Sequence, residues 1–329
     1  MRVTEMTNFE SGRDAVRRSR ERMESLQGKS ATLKKLNTPS DDPVGAAKVL
    51  EVRTEKVNND QYLMNSKLAE TFLSNSEQTL GELTDTVIRA KEIALAQSSG
   101  ASSNAQTRLG VAEEVTQLFN QSVAAANRRI GDRYLFGGYK TDRPPLSPEG
   151  RFLGDEGQMM TEIAKDVFVS MNVPGVEAFN TQPQSSSDGQ GVYGAPIRSP
   201  AGLRAQNEAL NESGIPLENV NVFNELQNLR ISLLTGDLDG IRDTLERFDQ
   251  LQGHLTTMRA KIGSRLQGIQ STSQAIERHN ITNAQLTSAL EDADMAQVVS
   301  DLAKEETVFR SALQSSQKLI QPTLMDFVK

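Results

Sequence analysis

Apolar residues recur at both ends of this 329-residue chain in the rhythm of a helix that needs a partner. Near the N-terminus they fall at Val16, Met23, Leu26, Leu33 and Leu36. Near the C-terminus they fall at Leu286, Leu290, Ala293, Val298, Leu302, Phe309, Leu313, Ile320, Leu324 and Phe327. Steps of three, four and seven place a narrow stripe on one helix face, and such a stripe is stable only when another helix covers it. The pattern therefore predicts that the termini pair, with each other or with further copies. Ser11 followed by Asp14 reads as the opening of the first helix, which runs to about Leu36.

The stretch Asn37-Thr38-Pro39-Ser40-Asp41-Asp42-Pro43 breaks that helix, because a proline rejects helical geometry in the residue before it. Pro39, Asp42 and Pro43 are the candidate hinge, with Asp42 as N-cap and Pro43 at the first helical position of the next helix. That helix is read through Val57, Met64, Leu68, Phe72, Leu80, Leu83, Val87 and Ala94, a rod of roughly 80 Å at 1.5 Å per residue. Ser98–Asn104 ends it, and a second helix from about Ala105 to Arg129 folds back antiparallel. Residues 140–217 hold eight of the eleven prolines. Within them Val167, Val169, Met171 and Val173 alternate with other residues as a strand, paired with Met159–Ala164. Gln182–Gln190 reads as a flexible exposed loop. Helix returns at Val222–Leu233, and after Gly236-Asp237 it continues in one run from Leu238 into the terminal stripe. Gly253, Gly263 and Gly268 lie in that run, where glycine weakens a helix and is tolerated if a neighbour must approach closely.

Fold class follows as mainly α with a small β-rich insert, built on long antiparallel helices with paired terminal coiled-coil helices. The expected divisions are 1–41 and 283–329 for a coiled-coil part, 42–140 and 218–282 for a helical core, and 141–217 for the insert. Charge adds partner choice. Residues 1–36 carry nine basic and five acidic side chains, whereas 283–329 carry seven acidic and four basic ones. Exposed ion pairs contribute only ~0.2–1 kcal/mol each, so the stripe must supply most of the pairing energy.

Composition closes several other routes. Hydrophobic residues make up 36% and aromatic residues 5% of the chain, with no tryptophan, which is lean for one deep core. A net charge of −7 argues against nucleic acid as a partner. No run approaches the ~18 apolar residues of a membrane span, and the N-terminus lacks the apolar core of a secretory signal. Without cysteine there are no disulfides or thiolate metal sites, which suits the cytosol and equally an exported surface protein. His254 and His279 are the only histidines, too far apart for a shared metal site. Asp237 and Asp239 with Gly240 read as helix capping, and Arg17–Arg22 as a solvated helix face. Neither a catalytic constellation nor a cofactor site emerges.

Three separated segments carry a resemblance. Leu36–Ala47, Arg259–Gln267 and Leu290–Val299 resemble, in order, the junction segments of the flagellin superfamily. Pro39 and Pro43 in the linker, the Arg133-Tyr134-Leu135-Phe136-Gly137-Gly138 hairpin and the small insert are similar to its hook–filament junction branch, with filament flagellin as the alternative. The resemblance implies a bacterial flagellar component, not an enzyme, exported unfolded through the flagellar channel and assembled outside the cell at the distal end. It implies as partners further copies, an upstream hook-associated protein, flagellin, and a cytosolic export chaperone that holds Leu302, Phe309 and Leu313. Val16, Met23, Leu26, Leu33, Val298, Leu302, Phe309, Leu313 and Ile320 are the candidate assembly seam.

Overall fold

The computed structural model describes residues 2–99, 104–181 and 220–320. Leu324, Phe327 and the Gln182–Gln190 loop lie outside them. Among the described residues, seven helices and two small sheets follow in order: α1 (Arg2–Thr32), α2 (Pro43–Ser98), α3 (Ala105–Ala126), β1 (Arg129–Ile130), β2 (Arg133–Tyr134), β3 (Met160–Ala164), β4 (Val167–Ser170), α4 (Gly175–Phe179), α5 (Val222–Thr235), α6 (Leu238–Glu291) and α7 (Met295–Ile320). The chain divides into two compact units, Met1–Asp60 with Glu277–Lys329, and Gln61–Ile276.

The larger unit holds the main core. From α2 it takes Ala69, Phe72, Leu73, Leu80, Leu83 and Val87, and from α6 Ile241, Phe248, Leu251, Leu255 and Ile262, all buried. Helix α3 runs antiparallel to α2, with Arg89 of α2 bonded to Glu114 of α3 at 2.7 Å and Arg128 just beyond α3 bonded to Glu82 of α2 at 2.7 Å. Gly131, at φ +58, turns the chain between β1 and β2 and delivers Leu135 and Phe136 into the interior. Phe136 meets Phe179 at 5.0 Å, and Phe179 meets Phe223 edge-on at 5.3 Å, so the hairpin, α4 and α5 share one aromatic cluster. Strands β3 and β4 pair antiparallel, with Thr161 opposite Val169 and Asp166 at φ +61 in the turn between them. Gly236 closes α5 at φ +72, and the Asp237 carboxylate caps α6 by accepting from the Gly240 amide at 3.0 Å.

Three readings of the pattern are corrected. Helix α1 opens at Arg2 rather than at Ser11, because nothing in residues 2–10 breaks a helix. The last long run is two helices, since residues 292–294 leave helical geometry and Asp294 recaps the chain at the Ala296 amide, 2.9 Å away. A Cβ placed on Gly253, Gly263 or Gly268 meets nothing within 4 Å, so these glycines answer to no close approach among the described residues.

The first turns of α2 hold the largest difference. Val57 and Met64 are each 68% exposed, and Val44 and Leu68 are exposed with them. The buried line is Val52, Asn59, Ser66, Ala69 and Leu73, a heptad-like stripe on the other side of the same helix. Two stripes share this helix, and its more polar one faces inward.

Candidate assembly interface

Helix α1 packs against α7 in the smaller unit. The pair is antiparallel: Ser19 Oγ donates to Glu305 Oε1 at 2.7 Å, while past the helix end Ala293 N donates to Leu33 O at 3.0 Å. Val16, Met23 and Leu26 are half-buried along α1 around the fully buried Ser19. On α7, Val298 is buried, and Leu302, Glu305 and Phe309 are half-buried. Leu33 is exposed at φ +60, just beyond α1, and Leu313 is also exposed. Ile320 ends α7, with its side chain outside the described residues. The apolar face of α7 is wider than α1 covers, for Met295, Val299, Val308 and Leu313 remain at 37–54% exposure. A helix with an uncovered apolar flank has capacity for a second partner.

Among the described residues, opposite charge joins the two termini at two places, Arg22 with Glu305 at 3.6 Å and Lys34 with Glu291. Arg17 and Arg20 instead pair with acids of α1, and Lys304 and Arg310 with acids of α7. Charge therefore fixes register at single points rather than along the seam.

The segments on either side of the proline-rich linker come together at the end of α6. Lys34 and Asp292 form an antiparallel bridge, and Lys35 N donates to Glu291 O at 2.6 Å. The Glu291 side chain is buried, accepting from Lys34 Nζ at 2.5 Å and from Arg53 Nη2 of α2 at 2.6 and 2.7 Å. The Lys34 ammonium, followed by the Arg53 guanidinium, holds this carboxyl below the usual carboxylate range against the opposing effect of burial. Asp41 accepts from the Thr38 and Asn37 amides at 2.9 and 3.1 Å, which lowers its pKa and shapes the turn. Asp42 Oδ1 accepts from the Val44 and Gly45 amides at 3.1 and 3.0 Å, capping α2 with Pro43 at its first position. A Cβ on Gly45 would stand 2.5 Å from Asp42 Oδ2 and 3.2 Å from Leu36, so a larger residue there would push the capping carboxylate aside. Pro39 lines a cavity of about 390 Å³ with Leu36, Ala46, Val49 and Leu50 as its apolar wall and Lys34, Arg53 and Glu291 as its charged one.

The candidate seam and hinge residues thus lie in one unit, and Glu291 ties the linker to α2 and α6. Sequence reasoning marked Glu291 within a motif but gave it no role, and passed over Arg53 altogether. A single charge 238 positions from its partner leaves no periodic trace. Among the described residues no group of three or more His, Cys, Asp or Glu could hold a metal ion, and no helix is long and apolar enough to cross a membrane.

Residues 7–141 match the bacterial flagellin N-terminal helical region. That region is flagellin-like. The sequence is 24% identical to flagellar hook-associated protein 3 of Escherichia coli strain K12, over 88% of this chain and 86% of the relative. It is 22% identical to flagellar hook-associated protein 3 of Salmonella typhimurium, over 97% of this chain and 95% of the relative. The flagellar junction protein of Legionella pneumophila shares the fold at a TM-score of 0.53 and 17% identity, over 74% of this chain and all of that one. The flagellin-like region thus spans α1 to α3 and reaches the loop just beyond β2, covering the N-terminal partners in the terminal pairing but neither α6 nor α7.

Proposed function

We propose that this chain is a structural subunit of the bacterial flagellum, an adapter that joins the hook-associated region to the flagellin filament. The observation that carries this reading is the likeness to hook-associated protein 3 over 97% of the chain, across both termini and the insert alike. The terminal helices supply the contacts: α1 covers part of the apolar face of α7, and the uncovered flank takes a neighbouring subunit. Residues 1–41 and 283–329 act as the pairing segment, 42–140 and 218–282 as the helical core, and 141–217 as the surface insert. Pro39, Asp42 and Pro43 act as a hinge between the first two. The chain does no chemistry of its own and needs no cofactor. It travels unfolded through the export channel, held beforehand by a cytosolic chaperone at Leu302, Phe309 and Leu313, and it ends outside the cell between an upstream hook-associated protein and flagellin.

Deleting the gene should leave hooks intact, abolish filaments and release flagellin into the medium. Intact filaments on the deletion strain would overturn the adapter reading. Long fibres grown from the purified protein on filament seeds would favour a filament subunit instead. Replacing Leu302, Phe309 and Leu313 together with Asp should abolish chaperone capture and motility, whereas Ser186→Asp should leave both unchanged. The readouts are co-purification with the chaperone and swimming in soft agar, and equal tolerance of the two variants would defeat the seam.

A further inference from the structure

The smaller unit contains a stretch where α2 and α6 are inside out. Asn59 and Asn283 are buried between the helices, while Val57 and Ile281 face solvent at 68% and 60% exposure. Buried amides need full hydrogen bonding, and the bonds here converge on one imidazole. Asn283 Nδ2 lies 3.0 Å from Glu55 Oε2 and 3.3 Å from His279 Nδ1. Asn59 Nδ2 lies 2.9 Å from Asn280 Oδ1 and 3.5 Å from the same Nδ1. Each amide nitrogen has two protons, one bound by an oxygen and one aimed at the ring. The carboxylate of Glu55 and the carbonyl of Asn280 fix the orientation of both amides, so Nδ1 must be the acceptor. A neutral imidazole with its proton on Nε2 satisfies both amides.

From this geometry we infer that His279 is a pH-sensitive fastener between α2 and α6. Protonation puts a hydrogen on Nδ1, where two amide donors already point. The imidazolium can no longer accept from them, and its new donor turns to Glu55 Oε1, now 3.8 Å away. Asn59 and Asn283 lose their shared acceptor, and Glu55 is drawn from Asn283. Glu55 of α2 is the charged group nearest the ring, and Lys56 and Asp60 of α2 and Glu277 and Arg278 of α6 flank the contact along the sequence. Glu55 Oε1 lies 3.8 Å from Nδ1, and Asp60 accepts from Asn280 at 3.3 Å. The ring is about half exposed, so protons reach it without unfolding. The contact is intact when the histidine is neutral and opens when it is protonated, loosening the helix pair below Glu291.

Two histidines make the test clean, since His254 bonds instead to the Glu177 carbonyl in the other unit. On the full-length protein, nitrogen-correlated NMR of the imidazoles at pH 8 should show His279 protonated at Nε2 alone. Hydrogen exchange, corrected for intrinsic rates, should show residues 53–60 and 277–287 at least 2-fold less protected at pH 5 than at pH 8. His254→Gln should keep that difference, and His279→Gln should remove it. Glu55→Gln, which keeps the acceptor for Asn283 but leaves the imidazolium no carboxylate, should enlarge the loss and guards against a folding defect in the histidine variant. A proton on Nδ1 at pH 8, an equal loss in His279→Gln, or an unchanged or smaller loss in Glu55→Gln would each overturn the inference.

Discussion

Glu291→Ala should cost the smaller unit about 2–3 kcal/mol and detach the linker from the end of α6. The carboxylate makes three charge-assisted bonds in a buried position, and such bonds are each worth ~1.5–3 kcal/mol without adding fully. Lys34 and Arg53 are themselves about half exposed, so water recovers part of what they lose and holds the cost below that of a fully buried pair. Glu291→Gln, which keeps one acceptor and removes the charge, should cost roughly half as much. The sign of the pH effect follows from the carboxyl's lowered pKa. A group whose folded pKa is depressed stabilises fully above its unfolded value, about 4.3 for Glu, and loses that contribution as pH falls through the folded value. Urea unfolding followed in the α1 and α7 region between pH 3 and 7 should therefore show a drop below about pH 4.3 that Glu291→Gln flattens. An alanine variant within 0.5 kcal/mol of wild type would show that the bridge between residues 33–35 and 291–293 holds the linker unaided.

Phe179→Ala should destabilise the larger unit by about 3–5 kcal/mol. Its ring is fully buried between Phe136 and Phe223, at centroid distances of 5.0 and 5.3 Å. Alanine there forfeits the transfer energy of the ring and leaves a cavity that the neighbours fill only in part. Collapse is limited because each neighbour is held by its own element: Phe136 O accepts from Gly175 N at 2.9 Å, and Phe223 sits at the capped start of α5. Phe179→Leu should retain most of the contact and cost about 1–1.5 kcal/mol. Thermal unfolding by circular dichroism gives the comparison, and a loss under 1 kcal/mol for alanine would mean that the cluster closes up freely. The functional consequence is local, since α4 anchors the insert to α6 through the His254 bond to the Glu177 carbonyl and the ion pair of Lys261 with Glu177.

Much of this architecture is legible in local chemistry. Pro43 behind Asp42 starts α2, Gly236 stops α5, and the alternation of Val167 and Val169 marks β4, because each signal acts through its own backbone or its nearest neighbours. The break before α7 was not legible, although Asp294 is a good cap. Residues 292 and 293 leave the helix to pair with residues 33–35, and that pairing is set by a segment more than 250 positions away. A separation of 238 positions hid Arg53 in the same way.

The sequence by itself determined that long helices flank a small β insert and that the terminal stripes need cover. Periods of 3.6 and 2 residues are properties of the local backbone, and apolar spacing reports them directly. Only the tertiary structure decided which stripe of α2 turns inward. The apolar line through Val57 and Met64 is the stronger local signal, yet Asn59 and Ser66 are the residues buried. Asn59 can be buried because His279 and Asn280, from the far end of the chain, supply its hydrogen bonds. Hydrophobic periodicity measures how much a face gains by leaving water, but it carries no record of the partner that makes a polar face cheap to bury.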